Sequence, residues 1–66
     1  MNTTTLRDKI FEKGHTVTSL AAEIGMARAT LYRKMKDKSF PVREAAAISQ
    51  ALELSREEVL SIFFYP

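Results

Sequence analysis

Apolar residues in the middle of the chain recur at helical spacing in two short segments. Leu20 and Ile24 stand one turn apart, as do Leu31 and Met35, so each segment has an apolar stripe with a period of about 3.6 residues. Gly25 lies between the segments, and glycine reaches positive φ without a Cβ clash. It can therefore end one helix and let the chain turn sharply into the next. The pattern predicts a helix-turn-helix.

One further helix is predicted before this motif. Thr5 and Asp8, three residues apart, approximate a capping box, so the helix is expected over about residues 6 to 13. Phe11 is expected to add to the core on one flank, and Gly14 to end the helix.

Two more helices are predicted after the motif. Phe40 and Pro41 begin the fourth, with Phe40 folded into the core and Pro41 near the first turn. Its apolar stripe consists of Ala45, Ile48, Ala51 and Leu52. Ser55 followed by Glu58 is a capping box for a fifth helix, which should continue to about Phe63. The whole pattern predicts an all-α protein with five helices.

Length and composition limit the classes of protein to consider. A chain of 66 residues is expected to be one domain, near the lower limit for folding on an apolar core alone. Cysteine is absent, so neither a disulfide framework nor a thiolate zinc site is expected. The longest mostly apolar run, residues 59 to 65, is far below the roughly 20 residues that cross a bilayer, and the N-terminus lacks an apolar signal region. We therefore expect a cytosolic protein.

The charges are unevenly distributed along the chain. Residues 1 to 27 balance to zero and residues 44 to 66 to −3, whereas residues 28 to 43 have six basic residues and one acidic residue, a balance of +5. This basic segment coincides with the second helix of the motif and the loop after it, where a nucleic-acid interface would need it. A charged segment can also be a solvated helix face, and the helix-turn-helix pattern favours nucleic acid over that interpretation.

Eight residues of the motif lie where a known family places its signature. They are Thr16, Leu20, Ala21, Ile24, Gly25, Met26, Thr30 and Leu31. Here the chain resembles the phage lambda repressor and Cro superfamily, also called the XRE family. Over residues 5 to 64 it is similar to small repressor-like proteins of phages and prophages. The resemblance implies a five-helix, lambda-repressor-like DNA-binding domain in the cytoplasm of a bacterial host, with the helix-turn-helix at about residues 16 to 36.

Four residues depart from the pattern of that family. Val17 stands where many relatives have a glutamine that contacts DNA, and Ala27 where serine or threonine usually caps the second helix of the motif. Lys34 stands at a position that is apolar in many relatives, with Met35 taking over the packing role, and Pro41 at a usual serine or threonine cap.

The second helix of the motif, expected at about residues 27 to 36, is the candidate DNA-contacting element. If Leu31 and Met35 point inward, then at about 100° per residue Ala29, Arg33 and Lys36 point outward. Arginine can bind guanine O6 and N7 bidentately, and an alanine methyl can meet a thymine methyl. The outward face is therefore suited to contacting bases.

Flanking residues complete the candidate interface. Tyr32 can hydrogen-bond a phosphate or brace the helix as a half-buried ring, and Thr16 can contact a phosphate or serve only as a cap. The lysines at 34, 36 and 38 are expected to contact phosphates. The candidate DNA-binding residues are Thr16, Thr18, Arg28, Ala29, Thr30, Tyr32, Arg33, Lys36 and Lys38.

Nothing in the sequence indicates an enzyme, a cofactor or a metal site. His15 is the only histidine and has no acidic or cysteine partner at ligand spacing, so we expect it to be a turn or edge residue. Neither a glycine-rich phosphate loop nor a pair of carboxylates with separated pKa values is visible.

Two hypotheses on function follow. The first is a sequence-specific DNA-binding regulator of the Cro or repressor kind, acting as a homodimer on a double-stranded operator. The alternative is an antirepressor that keeps the fold but binds another phage repressor. Leu60, Phe64 and Tyr65 exceed the apolar surface that one short helix can bury, so they are expected to form a dimer or partner contact.

Overall fold

A computed structural model describes residues 3–64 and shows five helices and no strand in that range. The helices are α1 (Thr3–Glu12), α2 (Val17–Glu23), α3 (Arg28–Asp37), α4 (Val42–Ala51) and α5 (Arg56–Val59), and α5 continues as a π-helical turn (Leu60–Phe64). The predicted all-α fold with five helices is confirmed. No helix in the described residues has the length and apolar character needed to cross a membrane.

The predicted glycine turns are present. Gly14 has φ +84° and Gly25 has φ +73°, so each occupies the left-handed region in which a side chain would be strained. The prediction that Thr5 precedes α1 is wrong, because α1 begins at Thr3. The segment before Asp8 contains neither glycine nor proline, so nothing in its local chemistry stops the helix from extending backward.

The core is formed by side chains from the first four helices and from the π-helical turn after α5. Seven large residues are fully buried: Leu6, Ile10, Leu20, Leu31, Ile48, Leu52 and Ile62. Phe40 packs against this cluster and meets Phe63 edge to face, with ring centroids 6.1 Å apart. The prediction that Phe11 adds to the core is wrong, since its side chain is 62% exposed. Phe11 follows Ile10 by about 100° around the helix, which moves it off the buried stripe.

The C-terminal segment is attached to α1 by both packing and charge. Ile62 is fully buried in the shared core, and the Lys9 ammonium lies 2.8 Å from one Glu58 carboxylate oxygen. Lys13 lies 3.7 Å from the other oxygen. The hydrogen bond from Lys9, with the Ser55 backbone N–H, lowers the pKa of Glu58 to about 2. Glu58 is also the distal residue of the predicted capping box, where it accepts that N–H at 2.8 Å.

The fifth helix differs from the prediction in its second half. It was expected to continue regularly to about Phe63, but after Val59 the chain widens into the π-helical turn. A π-helical turn adds about one residue per turn, so the side chains beyond Val59 no longer follow the period of an α-helix. Ile62 lies inside, Phe63 is half-buried and Phe64 is exposed.

Candidate nucleic-acid interface

The segment from α2 to α3 is a short helix, a tight turn and a longer helix. Leu20 and Ala21 on α2 and Leu31 and Met35 on α3 are all buried in the same cluster. In the turn, the Met26 N–H donates to the Ala21 carbonyl at 2.8 Å, which closes the end of α2. Such a short connection fixes α3 relative to α2, so that the side of α3 away from α2 faces solvent.

The outward side of α3 is polar and basic. Ala29, Arg33 and Lys36 are exposed, as the helical angles predict, and Arg28 and Tyr32 are exposed beside them. Thr30 is half-buried. Exposed donors on a helix that is firmly packed on its opposite side can contact a ligand without disturbing the core.

The N-terminal end of α2 is closed by its own side chains. The Ser19 N–H donates to Thr16 Oγ1 at 3.0 Å, and the Thr16 N–H donates to Ser19 Oγ at 2.9 Å. The Thr16 hydroxyl therefore acts as a cap, as expected, while Thr18 in the first turn is exposed. His15 borders the same end, with Nδ1 3.1 Å from Ser19 Oγ and Nε2 3.3 Å from Glu23.

Ala27 and Pro41 both occupy N-cap positions without a side-chain cap. Ala27 precedes α3 and Pro41 precedes α4, each with an extended ψ and no side-chain hydrogen bond to the helix. The first N–H groups of α3 are consequently not satisfied by the Ala27 side chain.

Lys34 forms an ion pair with the neighbouring helix α4. Its ammonium donates to both carboxylate oxygens of Glu44 on α4, at 2.5 and 2.7 Å, and both side chains are about one-fifth exposed. The sequence predicts a phosphate contact for Lys34, whereas in the fold Glu44 neutralises its charge. The ion pair explains how the fold accepts a lysine at this half-buried position.

Lys36 and Lys38 remain at the surface. Lys38 ends α3 in a left-handed conformation with φ +54°, and its N–H donates to the Met35 carbonyl at 3.2 Å. Both ammonium groups lie on exposed residues near the C-terminal end of α3.

The structure adds one basic residue that the sequence pattern did not single out. Arg7 on α1 lines a shallow groove of about 220 Å³ together with Tyr32, Met35 and Lys36 of α3. Along the chain, Arg7 belongs to a segment whose charges balance to zero. Only the folded chain brings Arg7 into the same groove as these residues of α3, and no spacing rule in the sequence indicates that neighbour.

The residues predicted for a protein contact lie in different environments. Leu60 is half-buried at the start of the π-helical turn. Phe64 is 61% exposed. Tyr65 lies outside the described residues.

These features define a helix-turn-helix protein with a basic outward helix. The chain matches the model of the Cro/C1-type HTH DNA-binding domain over residues 5–64. It belongs to that family, which confirms the resemblance inferred from the motif. No curated protein and no solved structure is significantly similar to the chain.

Proposed function

We propose that this protein is a sequence-specific transcriptional regulator of the Cro or repressor type, in which α3 lies in the major groove of an operator. The observation that supports this most strongly is the contrast between the two sides of α3. Its inner side is buried against α2, while Arg33 stands exposed on the opposite side, between Ala29 and Lys36. A helix held in this way can present a guanidinium to guanine O6 and N7.

The remaining candidates surround this centre. Arg28, Lys36 and Lys38 supply positive charge for phosphates along α3 and its end, and Arg7 adds a cation from α1. Tyr32, in the groove between Arg7 and Lys36, can donate to a phosphate oxygen. Phosphate contacts of this kind set the register of a helix on DNA, whereas base contacts supply specificity.

The first turn of α2 and the edge of α3 contribute smaller contacts in this proposal. Thr18 is exposed and can donate to a phosphate, and Thr16, whose Oγ1 accepts the Ser19 N–H, can still donate its hydroxyl proton. Thr30 is half-buried, so any contact it makes is at the margin of the groove.

The regulator acts as a homodimer on a two-fold operator, in a phage or prophage context. Two recognition helices about 34 Å apart would then contact successive major grooves on one side of the duplex. Phe64, with Leu60 and Tyr65, belongs to the surface that we assign to this contact. Binding at such a site excludes RNA polymerase or a competing regulator.

A gel-shift experiment tests this function directly. Full-length protein is titrated against the duplex that flanks its own gene and against a shuffled duplex of the same composition, at low and at near-physiological salt. We expect a complex that prefers the flanking duplex, because Arg33 discriminates bases while the lysines do not. Failure to form any complex at low salt contradicts direct DNA binding.

An antirepressor is a second candidate, and one observation favours it. Val17, which replaces the DNA-contacting glutamine of many relatives, is buried with the core at 7% exposure. One usual contact between α2 and DNA is therefore absent from this chain. The same gel shift, repeated with a neighbouring repressor present, distinguishes the candidates: an antirepressor removes the repressor from its operator without shifting DNA alone.

A further inference from the structure

His15 lies between the end of α1 and the first turn of α2, and both of its ring nitrogens have partners. Nδ1 is 3.1 Å from Ser19 Oγ, and Nε2 is 3.3 Å from a Glu23 carboxylate oxygen. The His15 side chain is 22% exposed, so the ring is held against α2 and does not extend freely into solvent. It links the two ends of α2, because Ser19 lies in the first turn and Glu23 is the last residue.

The partners of the ring suit both of its charge states. A neutral imidazole with its proton on Nε2 donates to Glu23 and accepts the Ser19 hydroxyl proton at Nδ1. An imidazolium donates from both nitrogens, and Ser19 Oγ then donates to the Thr16 carbonyl, 3.2 Å away. Ser19 Oγ accepts the Thr16 N–H at 2.9 Å in either case. Protonation therefore changes the charge of the ring and leaves the cap of α2 in place.

The charged groups on the neighbouring helices leave Glu23 as the partner of this charge. At the end of α1 the ion pairs are Lys9 with Glu12 at 3.1 Å and Lys13 with Glu58 of α5 at 3.7 Å. The part of α4 that shares a groove with Glu23 is uncharged and consists of Ala47, Gln50 and Ala51. On α3, the charged residue at the end joined to α2 is Arg28, which is exposed. In the described part of the chain, Glu23 is the only carboxylate that pairs with the His15 ring.

We propose that His15 couples DNA binding to pH, so that protonation of its ring strengthens the binding of DNA phosphates at the first turn of α2. The inference rests on the proposed function, in which Thr16 and Thr18 of that turn contact phosphates. With a neutral ring, the Glu23 carboxylate is an uncompensated negative charge on the helix that approaches DNA, whereas the imidazolium neutralises it. DNA in turn favours the charged ring, because coupling between two binding events is reciprocal.

The composition of the chain makes this coupling measurable. His15 is the only histidine, and cysteine is absent. Lysine, arginine and carboxylate side chains ordinarily keep their charge between about pH 5 and 8, whereas histidine changes its charge there. The N-terminal amino group also titrates near the upper end of this range, but it is common to every variant. A pH dependence that is lost with His15 therefore reports the charge of this ring.

The first test measures affinity for the duplex that flanks the gene, by fluorescence anisotropy at constant ionic strength from about pH 8 down to about 5.5. We expect the affinity of the natural protein to rise about three- to tenfold per monomer, as one unit charge near a phosphate in water would produce. His15→Gln keeps a hydrogen-bonding side chain that does not titrate, so its profile should be flat. Glu23→Gln should keep the dependence but move it to lower pH, because the ring loses the carboxylate that favours its charged form.

A second measurement uses the natural protein alone. Its single histidine gives a single Cε1–H resonance, and the NMR titration midpoint of this resonance should be higher with the duplex than without it. Thermal unfolding at both ends of the pH range shows that each variant is folded.

The outcomes separate the inference from the function on which it rests. Equal midpoints with and without DNA overturn the inference, and so does an affinity that is independent of pH or that changes equally in His15→Gln. Each of these results leaves the proposed function intact. Absence of a complex at every pH contradicts the proposed function itself, and the inference falls with it.

Discussion

The helices α3 and α4 are both ten residues long, and each packs one side into the same core, but their exposed sides differ in character. Leu31 and Ile48 are fully buried. On the outside, α3 presents Arg33 among other polar and basic groups, while α4 presents Val42 and Ala46 beside Arg43 and Gln50. The inward residues explain why both segments are helices in this fold. The outward residues, which the fold does not require, support the proposal that α3 contacts DNA.

Removing the guanidinium of Arg33 should change DNA binding more than any other substitution considered below. Arg33→Ala is expected to weaken binding to a specific site by about 1 to 3 kcal/mol and to relax the preference at one base position. Lys36→Ala should instead weaken specific and non-specific binding equally, because an ammonium contacts phosphate with little selectivity. Fluorescence anisotropy on matched and single-substituted duplexes measures both.

Arg56→Ala is the control for these two variants, since it removes an exposed arginine from α5. Its effect on specificity should be negligible. Negligible and equal losses for Arg33→Ala and Lys36→Ala would show that α3 does not contact the bases.

A substitution of Arg7 tests whether the DNA-binding surface includes α1. Arg7→Ala should reduce the affinity for all duplexes equally, because Arg7 lies in the groove beside Lys36 and away from the centre of α3. The slope of log K against log salt should become shallower by about 0.9 per lost phosphate contact. Lys13→Ala removes the same charge from the chain segment after α1 and should leave the slope unchanged. An unchanged slope for Arg7→Ala would restrict the interface to α2 and α3.

The ion pair between α3 and α4 joins the two regions, so breaking it tests their independence. Glu44→Gln removes the carboxylate that neutralises Lys34. The free energy of unfolding should fall by at most about 1 kcal/mol, since the pair is partly exposed. Non-specific DNA affinity should rise slightly, because α3 gains one uncompensated charge. A fall in DNA affinity would show that Lys34 must be held by Glu44 for α3 to bind.

Low pH should weaken the ion pair between Glu58 of α5 and Lys9 of α1. Of the effects predicted here, we expect this one to be the smallest. Lys9 and the Ser55 backbone N–H lower the pKa of Glu58 from 4.5 to about 2. A carboxyl group with a lowered pKa stabilises the fold above its unfolded pKa, and this contribution is lost as the pH falls through the folded pKa. The natural protein should therefore lose stability between pH 4.5 and about 2.

Glu58→Gln should show a smaller loss over the same window, which urea unfolding at several pH values would measure. Glutamine keeps an acceptor for the Ser55 N–H but does not titrate. Identical dependence of the unfolding free energy on pH in the two proteins would show that Glu58 does not cause the loss of stability in acid.

The sequence predicted the parts of this molecule that depend on local chemistry. The positive φ of Gly25, the burial of Leu31 and the exposure of Arg33 follow from turn preference and helical periodicity, which are properties of neighbouring residues. The capping box at Ser55 was predicted for the same reason. The nine candidate DNA-binding residues stay predictions, since their assignment depends on a partner.

Features that depend on tertiary packing could not be predicted in this way. Arg7 shares a groove with Tyr32 and Lys36 only in the folded chain. Lys34 is neutralised by Glu44, which lies ten residues further on, on the next helix. Phe11 was predicted to be buried but is exposed. A helical pattern indicates which side of a helix faces the core, but it does not show how far around the helix the core extends. The π-helical turn after Val59 has no simple sequence signal, so the sequence predicts a regular helix to about Phe63 instead.

The most direct test of the central claim is an amide chemical-shift map of the protein during titration with its operator duplex. Because the claim assigns DNA to one side of the molecule, we expect the largest changes in α3, from Arg28 to Asp37, and in the first turn of α2. The exposed residues Val42 and Ala46 of α4 should change less. Changes concentrated on α4 and the C-terminal turn, with α3 unaffected, would contradict the assignment of α3 as the recognition helix.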